Sequence, residues 1–128
     1  MAKGRDRHHA RAADVAALGR QLSRRAKNCC EICEQSTSLK VIEVEPILEE
    51  PDLDRAIMVC AKCEDAISGK GGPHNQMRCL EGVAWSDIIP VQMTAMRLLR
   101  QLSERDVVWA RDTIDSLFIS PEVEALLE

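Results

Sequence analysis

The chain is poor in aromatic residues. Among 128 residues there is no tyrosine, and its aromatics are Trp85, Trp109 and Phe118. A core built from this composition has to be aliphatic. Hydrophobic residues make up 45% of the chain, enough to supply one. Histidine is scarce too, confined to His8, His9 and His74, so chemistry needing several imidazoles has few to draw on. Apolar runs are short, well under the roughly 20 residues that a membrane-crossing helix needs, so no membrane association is expected. Nothing reads as a secretory apolar segment or a cleavable targeting signal. Six cysteines in such a chain point to a reducing cytoplasm rather than to a disulfide scaffold.

Charge is unevenly placed. Residues 1–28 hold eight Lys/Arg against Asp6 and Asp14, a balance of +6, and since the whole chain carries −4 the remainder carries −10. A basic arm ahead of an acidic body suits contact with a nucleic acid or a protein through residues 1–28, or a solvated terminus. Residues 1–9 read as a flexible basic lead. From about Ala10 to Lys27, Val15, Leu18 and Leu22 recur at helical spacing, with Arg11, Arg20, Arg24 and Arg25 around them. Gly19 weakens that helix, which is expected to pack only lightly on the rest of the chain. No aromatic side chain is interleaved there for stacking on bases.

Against these scarcities stand the cysteines. Cys30 and Cys33 form one Cys-x-x-Cys pair and Cys60 and Cys63 another, with 26 residues between the pairs. Four thiolates at this spacing can surround one Zn²⁺ tetrahedrally, because each pair sits on a turn that aims both sulfurs the same way. Cys29 competes with Cys30 for the first position, but the two-residue gap favours Cys30. Between the pairs, Leu39 to Val44 and Ala56 to Val59 read as short strands. Pro46 ends the first or marks an edge, and the acidic stretch from Glu45 to Asp54 reads as a solvated loop. The second pair opens a helical turn from Cys60 to Ile67, a position that favours thiolates.

The glycines around Lys70 lack the order of a phosphate loop. His74 and Cys79 are too scattered to define a second metal site with Cys29. Cys79 is expected in the core, and His74 hydrogen-bonded in the loop. From Trp85 onward the pattern is helical. Ser86 or Asp87 serves as cap, Pro90 falls in the first turn, and Val91, Ala95, Leu98, Leu99 and Leu102 share an apolar face. A second helix over about Asp106 to Phe118 and a short one from Ser120-Pro121 come next. The expected architecture is α+β. A treble-clef or zinc-ribbon-like module with a short β-hairpin is flanked by an N-terminal helix and a C-terminal helical hairpin. Residues 10–128 form a single domain, with 28–85 as the zinc module and 86–128 as its helical cover.

Several segments together carry a family likeness: Cys30-Glu31-Ile32-Cys33, the strand ending Glu43-Val44-Glu45-Pro46, the run from Asp54 to Cys63, Arg78-Cys79-Leu80, Trp85-Ser86 and Pro90-Val91-Gln92. With these, most of residues 22–118 resembles the N-terminal zinc domain of the proteobacterial PhnA proteins. The resemblance implies a bacterial zinc-binding module and no established reaction. The family usually continues into a small β domain that these 128 residues do not include, so activity residing there is not expected of them.

A more distant likeness joins the layout of knuckle, strand pair and helix-borne second pair to treble-clef HNH endonucleases. Such enzymes need a strand histidine to activate water and further groups to hold a catalytic ion. Here the corresponding strand offers Glu43 and Glu45, and Glu64-Asp65 stand after the second cysteine pair. The expectation is a non-enzymatic module with one structural Zn²⁺ held by Cys30, Cys33, Cys60 and Cys63, no catalytic residues, and a role in nucleic-acid or protein contact. The competing reading is a degenerate HNH-like or phosphonate/phosphoester hydrolase using Glu43, Glu45 or His74. Thiol redox sensing through Cys29 and Cys79 is a third.

Overall fold

Five consecutive apolar residues, Ala56-Ile57-Met58-Val59-Cys60, are all buried and form the central strand of a computed structural model that describes residues 11, 13–68 and 77–127. A strand shows its side chains alternately to opposite faces, so a wholly apolar strand demands cover on both. The fold supplies it. This strand, β2, pairs antiparallel with β1 (Leu39–Glu43) in the register Leu39↔Cys60, Val41↔Met58 and Glu43↔Ala56. Ala56 and Met58 face one way, into a small cluster with Leu22 and the partly buried Leu18, Ala26, Val41 and Leu53. Ile57 and Val59 face the other way, into the main core.

The small cluster is closed by α1 (Gly19–Ala26), which comes after helical residues 13–17 and a turn at Leu18. Its packing is firmer than expected of a light contact. Leu22 is fully buried against the sheet, and a Cβ built on Gly19 would meet Val41 Cγ2 at 3.9 Å, so the helix lies within ordinary contact distance of β1. The helix ends where Lys27 and Asn28 both take left-handed backbone (φ 57° and 58°), reversing the chain into the first cysteine pair.

The main core is closed by the C-terminal helices. After β2 come α2 (Ala61–Ser68), the short α3 (Leu80–Val83), α4 (Ile89–Glu104), α5 (Val108–Ser116) and α6 (Pro121–Leu127). The long α4 buries Val91, Met93, Ala95, Met96, Leu98, Leu99 and Leu102, with α5 contributing Ala110 and α6 Val123. Together with the hairpin these helices give the α+β fold expected, a two-stranded sheet with flanking helices.

Details differ from the sequence reading for local reasons. Neither Ser86 nor Asp87 caps α4 through its side chain. Instead Ser86 Oγ accepts the Ile88 N–H at 3.1 Å, turning the chain just before the helix. Asp106 takes left-handed backbone (φ 63°) and separates α4 from α5, which starts only at Val108, and extended backbone at Leu117 ends α5 at Ser116. Cys79, expected in the core, is exposed, while its neighbours Met77 and Leu80 are buried. The loop from Glu45 to Glu50 is exposed as expected, but it also shows Ile47 and Leu48 to solvent. Residues 1–9, the glycine loop after Ser68 and His74 lie outside the described residues.

Candidate metal centre

The first pair sits on a tight turn after α1. The Cys30 N–H donates to the Gln35 carbonyl at 2.7 Å and the Glu34 N–H to the Cys30 carbonyl at 2.9 Å, with Glu34 in left-handed backbone (φ 68°). Within the turn, the N–H groups of Ile32 and Cys33 both point at Cys30 Sγ, 3.4 Å away. Amides aimed at a sulfur stabilise it as a thiolate. The second pair comes from the joint between strand and helix. Cys60 is the last residue of β2, and Cys63 lies in the first turn of α2, where the positive end of the helix favours negative charge.

The hairpin register brings the pairs together. The sulfurs of Cys30, Cys33, Cys60 and Cys63 all lie within 4.8 Å of one another, and Cys33 Sγ is 3.5 Å from Cys60 Sγ. A tetrahedron with metal–sulfur bonds of about 2.3 Å has edges of about 3.8 Å. Adjustments of under about 1 Å therefore fit this set to one ion. Four cysteines so placed could hold a metal, and an all-sulfur donor set suits a soft or borderline one. Three of the four residues are buried and Cys33 is half-buried, so the centre lies under the surface between knuckle and hairpin.

The electrostatics fit a shared site. The Cys63 thiol donates to Cys30 and, helped by the backbone amides, holds the Cys30 thiol far below its usual value, at about 4. Burial pushes Cys33 up to about 11. Cys63 is raised as well, chiefly because it is the donor to Cys30 and also by burial.

Cys29 does not join the cluster. It is half-buried, with its Sγ against the Lys27 carbonyl at 3.4 Å. Cys79 also stands apart, its thiol raised mainly by local desolvation. The carboxylates expected of a hydrolytic site are committed or scattered. Both oxygens of Glu43 are gripped by Arg11, at 3.0 and 2.6 Å, and Glu45 is exposed. Among the described residues the four cysteines are the one group placed to hold a metal.

Two residues that matter at the centre do not stand out in the sequence. Glu31, inside the first pair, receives Arg25 of α1 as a two-pronged ion pair at 2.8 Å on each oxygen and also accepts the Met58 N–H at 2.9 Å. Its carboxylate is only 4% exposed. Arg25 further donates to the Leu53 and Ala56 carbonyls at 3.0 and 2.8 Å. The one signal for them is a single acidic residue inside a cysteine pair, six positions after an arginine. Comparison with protein-family models, with curated proteins and with solved structures found no match to this chain.

Proposed function

We propose that this protein is a non-enzymatic zinc-binding module whose Zn²⁺, held by Cys30, Cys33, Cys60 and Cys63, is a structural staple, and that the module serves contact with a nucleic acid. The observation that carries the metal part is the convergence of the four sulfurs within 4.8 Å. Four protein thiolates fill a tetrahedral shell, leaving no position for water or substrate. The PhnA-like segments belong to the same reading and favour a bacterial zinc domain of that type, in a reducing cytoplasm. The site separates zinc from other soft ions on availability and geometry.

The nucleic-acid part rests on the basic side chains that the fold leaves free to meet a phosphate backbone. Arg20, Arg24 and Lys27 are exposed on and just after α1, whereas Arg11 and Arg25 are consumed by carboxylates and carbonyls within the protein. Phosphate contacts of this sort give affinity that falls steeply with salt. Of the groups the hydrolase reading would use, Glu43 is held by Arg11 and Glu45 is exposed, while His74 lies outside the described residues.

Native mass spectrometry of protein purified without added metal tests the first claim, with one zinc per chain expected. Cys33→Ser is expected to lose both the metal and the stable fold. A Cys33→Ser protein that stayed fully stable without zinc would overturn the staple. Retention of wild-type protein on immobilised DNA or RNA, declining with salt and weakened by Arg20→Ala with Arg24→Ala, is expected for the second claim. Retention unchanged by those substitutions, or none at low salt, would move the contact to a protein partner.

A further inference from the structure

On the side of β1 away from α1 lies a cleft of about 530 Å³, lined by residues of β1 and its exit, by Ile67 at the end of α2, by α4 and by Leu127. Its walls are mixed: Ile42, Val44, Ile67, Leu98 and Leu127 are aliphatic, and Glu43, Glu45, Thr94, Arg97 and Gln101 are polar. A cavity of this volume, with aliphatic and polar groups both converging on it, has the size of a small-molecule site.

Its charges are arranged in a particular way. Arg97, from α4, is half-buried, and its one hydrogen bond among the described residues is a long contact, 3.4 Å, to the Leu126 carbonyl. A guanidinium offers five N–H donors, so most of this one's capacity is unused. Desolvation lowers its pKa, with Arg100 acting in the same direction and Glu45 opposing. Other nearby charges are already matched: Glu43 by Arg11 and Arg100 by Glu124 at 3.0 Å. Glu45 stands exposed where β1 exits and lines the same cleft. Thr94 donates its hydroxyl hydrogen to the Pro90 carbonyl at 2.8 Å and so meets the cleft only as an acceptor.

An anion alone would satisfy Arg97 but meet Glu45; a cation alone would do the reverse. A ligand carrying both charges next to an aliphatic body answers all three features at once. We propose that this cleft binds a free α-amino acid with an aliphatic side chain. Its carboxylate lies on Arg97, its ammonium faces Glu45, and its side chain packs among Ile42, Val44, Leu98 and Leu127. The site is separate from the cysteine cluster and stands or falls independently of the metal.

The test uses the zinc-loaded full chain with methyl-detected NMR titrations of three probes that share one carbon skeleton or nearly so. These are leucine, 4-methylpentanoate, which lacks the ammonium, and 3-methylbutylamine, which lacks the carboxylate. Leucine is expected to shift the methyl signals of Ile42, Val44, Leu98 and Leu127, and to bind at least about tenfold more tightly than either one-charge analogue, the worth of one lost charged hydrogen bond. Glu45→Gln, at an exposed position, is expected to weaken leucine by a similar factor while leaving 4-methylpentanoate unchanged or improved. Arg97→Gln is expected to abolish both, with zinc content and circular dichroism confirming that the variant is folded. Should it fail to fold, the wild-type probe series and Glu45→Gln still decide. Absence of methyl shifts with 10 mM leucine (on the order of the weakest useful affinity) would overturn the proposal, as would equal binding of 4-methylpentanoate and leucine together with an inert Glu45→Gln.

Discussion

The two faces of the β1–β2 hairpin are covered by opposite means. On one face, α4 and its neighbours bury a broad aliphatic core of side chains drawn from five helices and both strands. On the other, α1 brings Leu22 onto Ala56 and Met58 of β2, and makes up the difference with Arg25. That arginine spans the Glu31 carboxylate and two backbone carbonyls of the segment leading into β2. Area holds the first face and directional polar contacts hold the second. Burial tolerates small shifts, because it depends on area removed from water. A two-pronged ion pair with a nearly buried carboxylate depends on position, and failing to complete it leaves a charge stranded.

The four cysteines tie the turn after α1 to β2 and α2, so removing an ion held there should have the largest effect. Chelation, or Cys60→Ser at the junction of β2 and α2, is expected to abolish cooperative thermal unfolding, read by near-ultraviolet circular dichroism or calorimetry. The free energy of binding such a metal is of the order of the folding free energy itself, about 10 kcal/mol or more in small zinc modules. A metal-free protein that kept a sharp transition would show that the helical face is self-sufficient and that the comparison is between unequal partners.

Within the metal-loaded protein, Leu99→Ala in the broad core is expected to cost about 2–5 kcal/mol in urea unfolding, since Leu99 is fully buried and its loss leaves a cavity. On the other face, Arg25→Ala should cost about 3 kcal/mol, by leaving Glu31 buried and unpaired. The double variant Arg25→Ala with Glu31→Gln should recover part of that. If it recovered none, the arginine would be contributing through its carbonyl contacts and packing instead of its charge. The smallest effect runs the other way. Gly19→Ala has room beside Val41, and it should stabilise the protein by about 0.5–1 kcal/mol through the unfolded chain and helix propensity.

The broad face was legible in the sequence, because periodicity reports burial by area. Val91, Ala95, Leu98, Leu99 and Leu102 stand at helical spacing and are buried where that spacing implies. The strands were legible for the same reason, as were the cysteines, whose spacing comes from the geometry of a turn. The narrow face was not. Arg25 and Glu31 are ordinary surface residues in any pattern of hydrophobicity, and their pairing appears only once the left-handed residues Lys27 and Asn28 fold the chain back on itself. Cys79 misled for a related reason. Small thiols are usually buried, yet it falls between two core positions, Met77 and Leu80, on a turn that points it outward. No periodic signal marks a turn that short.

Glu31 sits between two cysteines of the metal cluster and is clasped by a helix. Its carboxylate also anchors the Met58 amide, two residues before Cys60. The docking of α1 and the placing of the four sulfurs therefore share Glu31 as a common support. Thermodynamic reciprocity requires that, if the docking of α1 raises the affinity for an ion, binding of the ion favours that docking by the same factor. A polyanion that stiffens α1 against the hairpin would then tighten the hold on such an ion, and one that pries the helix away would loosen it. The affinity of the four sulfurs for an ion would thus gauge what happens on a surface the ion never touches.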